Sequence, residues 1–159
     1  MAETTPRFPS QLTNALPWKR VLVPVDFSPL SETALIYALK LAQLVGAEVH
    51  ACHIIPTPHV LDVLYERGFA PPESIKRITQ KARKRIKEIA GTQETTVPLR
   101  IHCEEGEAAE HILQQAETLK VDLIVIGTHG RSGAQRFFLG SVAETVIRRA
   151  SCPVLTLRS

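Results

Sequence analysis

Several kinds of residue are scarce in this 159-residue chain, and each scarcity closes off a class of function. No apolar run approaches the ~20 residues that a membrane-spanning helix needs. Aromatic residues make up only 5% of the chain, so a surface that stacks nucleic-acid bases has little to be built from. Excess charge is also slight. A net charge of +3 is too small a bias to argue for a nucleic-acid partner. The three cysteines, Cys52, Cys103 and Cys152, are an odd number at wide spacing with no C-x-x-C pair. Each lies in or beside an apolar run, which reads as buried, reduced thiols and not as a disulfide, metal or redox centre. The opening MAETTPRFPSQLTNALPWKR lacks a basic segment leading into the apolar core of an export signal, so the expected location is the cytoplasm.

What is present is ordinary for one soluble domain with a real core: 44% hydrophobic and 22% charged residues. The Pro-, Thr- and Ser-rich beginning reads as a flexible arm over residues 1–17, ahead of a single domain over 18–159.

From Arg20 onward, short apolar runs alternate with helical patterns. Val21-Leu-Val-Pro-Val25 suits a strand buried on both faces. Ser28 followed by Pro29 marks a helix start, and Gly46 its end. The apolar side of that helix is read as Leu30, Ala34, Ala38, Leu41 and Val45. A second strand spans residues 48–55 and stops at Pro56. The connection from Pro56 to Pro72 is long, with room for a short helix around Val60 to Glu66. A helix then follows with Ile75, Ile78, Ala82, Ile86 and Ile89 on one stripe. A third strand is expected over 97–103, a helix after Gly106, a fourth strand over 121–126, a helix from Ser141 and a fifth strand over 153–157. Ser141-Val-Ala-Glu144 reads as a capping box. This alternation predicts an α/β fold: a single doubly wound, Rossmann-like, five-stranded parallel sheet with helices on both faces.

In such sheets ligands bind beyond the carboxyl ends of the strands. Two strand ends look chemically prepared. The first is Pro24-Val-Asp26-Phe-Ser28. The other is GTHGRSGAQRFFLGS (127–141), where four of the chain's 8 glycines fall. Glycine lets backbone amides approach phosphate oxygens, and a helix N-terminus supplies orphan N–H donors and a positive dipole end. The spacing matches neither a Walker P-loop nor the dinucleotide G-x-G-x-x-G fingerprint.

The spacing Gly127-x2-Gly130-x9-Gly140-Ser141 resembles the signature of the universal stress protein family, in its nucleotide-binding branch. Val23-Pro-Val-Asp-Phe-Ser28, His53-Ile54 and Cys152-Pro-Val-Leu155 are similar to further family segments, so the likeness runs from about Trp18 to Arg158. The resemblance implies a strand order of 3-2-1-4-5 and ATP, accompanied by Mg2+, in the crevice between the first and fourth strands. It places Pro24, Val25 and Asp26 on the adenosine side, with Asp26 near the ribose or a metal. Ile54 would offer its backbone to adenine, and Ile126 and Gly127 would pack on the nucleoside. His129, Gly130, Arg131, Gly140, Ser141 and Val142 would surround the phosphates. It also implies a homodimer paired through the last strand, Val154, Leu155, Thr156 and Leu157, whose apolar edge is otherwise an aggregation hazard. Gly133 and the long 56–72 connection depart from the family pattern.

Plainer readings stand beside these. Ser141 caps its helix, Asp26 bonds to its own turn, and His129 is a loop residue. His50 and His53 are read as sharing a strand face, as a packed pair in preference to metal ligands, since no third ligand is evident. The basic run Lys76, Arg77, Lys81, Arg83, Lys84, Arg85 and Lys87 is a solvated helix face, or else a docking surface for an acidic partner. Three functions compete: an ATP-dependent sensor or switch, a slow ATPase or phosphoryl-transfer enzyme using His129 or Asp26, and an interaction module indifferent to nucleotide.

Overall fold

A computed structural model describes residues 18–56, 72–128 and 139–158. The expected arm (1–17), the helix anticipated near Val60 and the segment carrying His129, Gly130, Arg131 and Gly133 lie outside the described residues. The elements are β1 (Arg20–Pro24), α1 (Pro29–Val45), β2 (Glu48–Ile55), α2 (Pro72–Gly91), β3 (Leu99–Glu105), α3 (Ala108–Thr118), β4 (Leu123–Gly127), α4 (Ser141–Arg149) and β5 (Val154–Leu157). The strands form one parallel sheet in the order β3-β2-β1-β4-β5.

Alternation along the strands sends side chains to two separate cores. Val21, Val23, Leu123 and Val125 pack with Leu35, Leu39 and Ile86 from α1 and α2. Leu22, Cys52 and Ile124 pack on the other face with Ile112 from α3 and Val146 from α4. β1 beyond Arg20 and β4 are apolar because both their faces are covered.

Ser28 caps α1 as expected. Its hydroxyl accepts from Ser31 N–H, Pro29 stands in the first turn, and Gly46 closes the helix at φ +71°. The buried face is Ser31, Ala34, Leu35, Ala38, Leu39 and Ala42, so the helix is rotated from the expected stripe. Leu30, Leu41 and Val45 lie at its half-buried margins. Small residues in the middle of this face let the helix lie close to the sheet.

β3 begins two residues later than the sequence pattern indicates. Pro98 has no N–H to give the ladder, and Val97 N–H is held by Thr95 Oγ1 in the preceding turn. β4 likewise starts at Leu123, because the Asp122 carboxylate turns to accept Lys19 N–H and Arg20 N–H.

A crevice opens where the strand order reverses. Pairing of β1 with β4 ends at Leu22 and Ile124. Asp122 N–H donates to Arg20 C=O and Val25 N–H donates to Cys52 C=O, so alternation points the Pro24 nitrogen at β4. That nitrogen carries no proton, and the next rung is lost.

Candidate functional site

A cavity of about 600 Å³ lies at the carboxyl ends of β1, β2 and β4. Nine of the twelve residues expected at the site line it: Pro24, Val25, Asp26, Ile54, Ile126, Gly127, Gly140, Ser141 and Val142. His129, Gly130 and Arg131 lie outside the described residues. Ile54, Ile112, Ile126 and Val142 make much of the wall apolar, which suits a flat, weakly polar group.

Asp26 stands at the end of β1 in a tight local network. Its Oδ1 accepts from Ser28 N–H at 3.0 Å and from Ser28 Oγ–H at 2.6 Å. Its own N–H donates to Ser31 Oγ at 3.3 Å. This is an Asx-type turn, built directly on the cavity wall. Phe27, next in the chain, has φ +65°, a left-handed conformation unusual for an aromatic residue.

The start of α4 differs from the expected capping box. Gly140, at φ −61° and ψ 142°, is the N-cap and has no side chain to cap with. Ser141 is already the first helical residue. Glu144 donates its N–H to Gly140 C=O at 2.8 Å, and its carboxylate pairs with Arg148 at 3.2 Å. The N-cap Gly140 offers no side-chain bond to the first amides of α4, which carry the positive dipole end and stand at the cavity. Such a terminus is suited to anions. Gly140 N–H also donates to Thr128 C=O at 2.8 Å, so the two ends of segment 129–138 meet at the cavity rim.

His50 and His53 do not share a face: three positions apart on a strand, they point to opposite sides. His53 lines the cavity, donates Nδ1–H to Val25 C=O at 2.7 Å, and packs on Phe27 with ring centroids 4.6 Å apart. His50 is buried in a polar chain on the other face. Its Nε2–H meets Glu48 Oε1 at 3.1 Å, and its Nδ1 meets His102 Nε2 at 3.0 Å. Arg100 completes the chain by donating Nε–H to Glu48 Oε2 at 3.1 Å. The hydrogen bond from His50 holds the Glu48 carboxyl below its usual range, and burial pushes His102 down. Among the described residues, no group of three His, Cys, Asp or Glu side chains is arranged to hold a metal ion.

The partners of two histidines were not visible in the sequence. His53, expected to pack with His50 and noted beside Ile54, instead bonds a carbonyl that the β1–β2 register sets. His102 is brought to His50 by the β2–β3 register, which chain order alone does not supply. Cys52 also lines the cavity, and burial pushes its thiol up to about 12, so it is a protonated, inert wall group.

Residues 17–158 match the Universal stress protein family. The chain belongs to the universal stress protein family. It is 36% identical over 142 residues to universal stress protein MJ0531 of Methanocaldococcus jannaschii, covering 89% of this chain and 82% of that protein. Among solved structures, MJ0577 superposes with a TM-score of 0.76 at 29% identity, over 89% of this chain and 96% of that one. The universal stress protein from Archaeoglobus fulgidus in complex with dAMP superposes with a TM-score of 0.59 at 26% identity, over 89% of this chain and 98% of that one. Within this universal stress protein fold the cavity lies at the switch point of the sheet, where α/β folds bind ligands.

Proposed function

We propose that this universal stress protein binds an adenine nucleotide, foremost ATP, in the β1–β4 crevice and acts as a nucleotide-dependent switch in the cytoplasm. The observation that carries the reading is the α4 N-terminus, entered through side-chain-less Gly140, at a largely apolar cavity. An apolar slot for a base beside an anion-binding helix end is what a nucleotide requires. The dAMP complex of the Archaeoglobus relative supports the choice of adenine.

In this reading Pro24, Val25, Ile126 and Gly127 enclose the nucleoside, Asp26 faces the ribose, and Ile54 offers its backbone to the base. The amides of Ser141 and Val142 receive phosphate beside Gly140, whose own N–H is held by Thr128 C=O, joined by His129, Gly130 and Arg131 as the family resemblance implies. Asp26 is the single acidic residue among the described lining residues. That donor set fits Mg2+ held mainly by the phosphates, since Mg2+ commonly uses one or two carboxylates together with substrate oxygens.

The switch acts through the 128–139 loop, whose surface partners read when ATP is bound and whose flanks are joined at the cavity rim by the Gly140–Thr128 bond. β5 stands at the edge of the sheet with Leu155 exposed, and Val154, Leu155, Thr156 and Leu157 pair with a second copy. Calorimetric titration of nucleotide-stripped protein with ATP and Mg2+ tests the reading. Binding at micromolar affinity or tighter is expected, with segment 129–138 becoming protease-resistant. Absence of binding to ATP, AMP and cyclic AMP alike would sink it.

A further inference from the structure

The hydrogen-bond alternation along β2 is interrupted at the cavity. Even-numbered residues of β2 face β1: Glu48 N–H donates to Lys19 C=O at 2.8 Å, and Cys52 C=O accepts from Val25 N–H at 2.8 Å. Odd-numbered residues face β3: Val49 N–H donates to Pro98 C=O at 2.9 Å, and Ile55 C=O accepts from Gly106 N–H at 3.0 Å. The next rung toward β1 would run from Ile54 N–H to Val25 C=O. Val25 C=O accepts instead from His53 Nδ1–H at 2.7 Å. The rung after it would need Phe27 N–H, and the left-handed turn at Phe27 takes the chain away from β2. His53 also braces that turn, its ring lying against Phe27.

We propose that His53 is a positioning residue for base recognition: by occupying the Val25 carbonyl it withholds a β1–β2 rung and leaves the Ile54 N–H and C=O turned into the cavity. In a parallel strand both groups of one residue point to the same side, as a donor and an acceptor close together. Ile54 is half-buried and lines the cavity. Its N–H and C=O complement the N1 acceptor and N6–H donor of adenine. Guanine presents the opposite pattern at the same edge, an N1–H donor and an O6 acceptor, and an unpaired buried group on either side is costly. The inference rests on the nucleotide reading above and adds to it the origin of the base preference.

The test compares wild type, His53→Leu and His53→Asn in calorimetric titrations with ATP and with GTP. The Asn amide nitrogen takes the place of Nδ1 and keeps the donor. Wild type is expected to prefer ATP. His53→Leu frees Val25 C=O to take Ile54 N–H, and should lower ATP affinity about tenfold while GTP affinity changes little. His53→Asn should restore the preference. A loss of stability alone would weaken both nucleotides together and leave their ratio unchanged, which would overturn the role of His53. Equal ATP affinity in wild type and His53→Leu would also overturn it while leaving the nucleotide reading intact. No binding of either nucleotide to wild type would overturn the nucleotide reading itself. Should His53→Leu fold poorly, amide hydrogen exchange in wild type decides: Ile54 N–H should exchange fast without nucleotide and be protected by ATP. Strong protection in the ligand-free protein would contradict the proposal.

Discussion

Gly127 and Leu30 are in closer contact than a side chain on Gly127 would ordinarily make. A Cβ placed on Gly127 would stand 3.0 Å from Leu30 Cγ and 3.3 Å from the Leu30 carbonyl carbon. The end of β4 is therefore pressed against the first turn of α1, and glycine fits there without displacing Leu30. Both segments border the cavity, so this contact fixes its width on one side.

Replacing Gly127 by Val should force α1 away from the sheet. Overpacking of this kind typically costs about 1–3 kcal/mol. Urea unfolding should show a lowered midpoint with an unchanged slope. A variant as stable as wild type would mean that the α1 turn gives way freely.

Ser28 has two tasks, capping α1 and holding Asp26 Oδ1. Ser28→Ala removes the cap and the hydroxyl bond to Asp26, leaving the bond from the residue-28 backbone N–H. Loss of the cap should lower stability by about 1 kcal/mol. Asp26 is held less firmly in its turn, so ATP affinity should fall as well. A stability loss with full affinity would show that the Asp26 network is not needed for binding.

Ser141→Asp separates the two properties of the α4 terminus. A carboxylate in the first turn complements the helix dipole and should stabilise the fold by about 0.3–1 kcal/mol. The same charge repels phosphate and should weaken ATP about tenfold or more. Higher melting temperature together with weaker binding is the expected pair. Binding at wild-type strength would remove the phosphate from this helix end.

The half-buried His50–His102–Glu48 chain predicts an acid limb. His102 is held below its ordinary value of 6.5 by burial, so the folded state disfavours its charged form. Its contribution is complete above about pH 6.5 and is lost as pH falls through the window below that, where the unfolded chain binds the proton first. Glu48 is lowered from 4.5, chiefly by the hydrogen bond from His50, and adds a second loss as pH falls through and below that value. Thermal melts between pH 8 and pH 4 should show both, and His102→Gln should flatten the first. An unchanged slope in His102→Gln would place the titration elsewhere.

The order of elements along the chain was legible because apolar runs, prolines and glycines punctuate it clearly, whereas the strand order in the sheet and the crevice between the first and fourth strands followed from the family resemblance. Ser28-Pro29 and Gly46 mark α1 to the residue. Pro24, Ile54, Ile126 and Gly140 come from four distant stretches, and only the family resemblance linked them before the sheet order was known. Other features depended on geometry that single residues do not encode. Ser141-Val-Ala-Glu144 has the letters of a capping box, yet the chain enters the helix one residue earlier, at Gly140. The face of α1 differs from the expected stripe because leucines fall on several sides of the helix, Leu30 and Leu41 at the margins and Leu35 and Leu39 in the core, and Ser31 carries little hydrophobic signal. The partners of His50 and His53 follow from strand register, since His102 lies 52 residues from His50 in the chain.

The most direct measurement is a crystal structure of the protein grown with ATP and Mg2+. The account predicts the base between Ile54 and Ile126, the ribose at Asp26, and phosphate oxygens about 2.7–3.2 Å from the Ser141 and Val142 amide nitrogens. Nucleotide bound elsewhere on the molecule, or an empty crevice under saturating ATP, would contradict it.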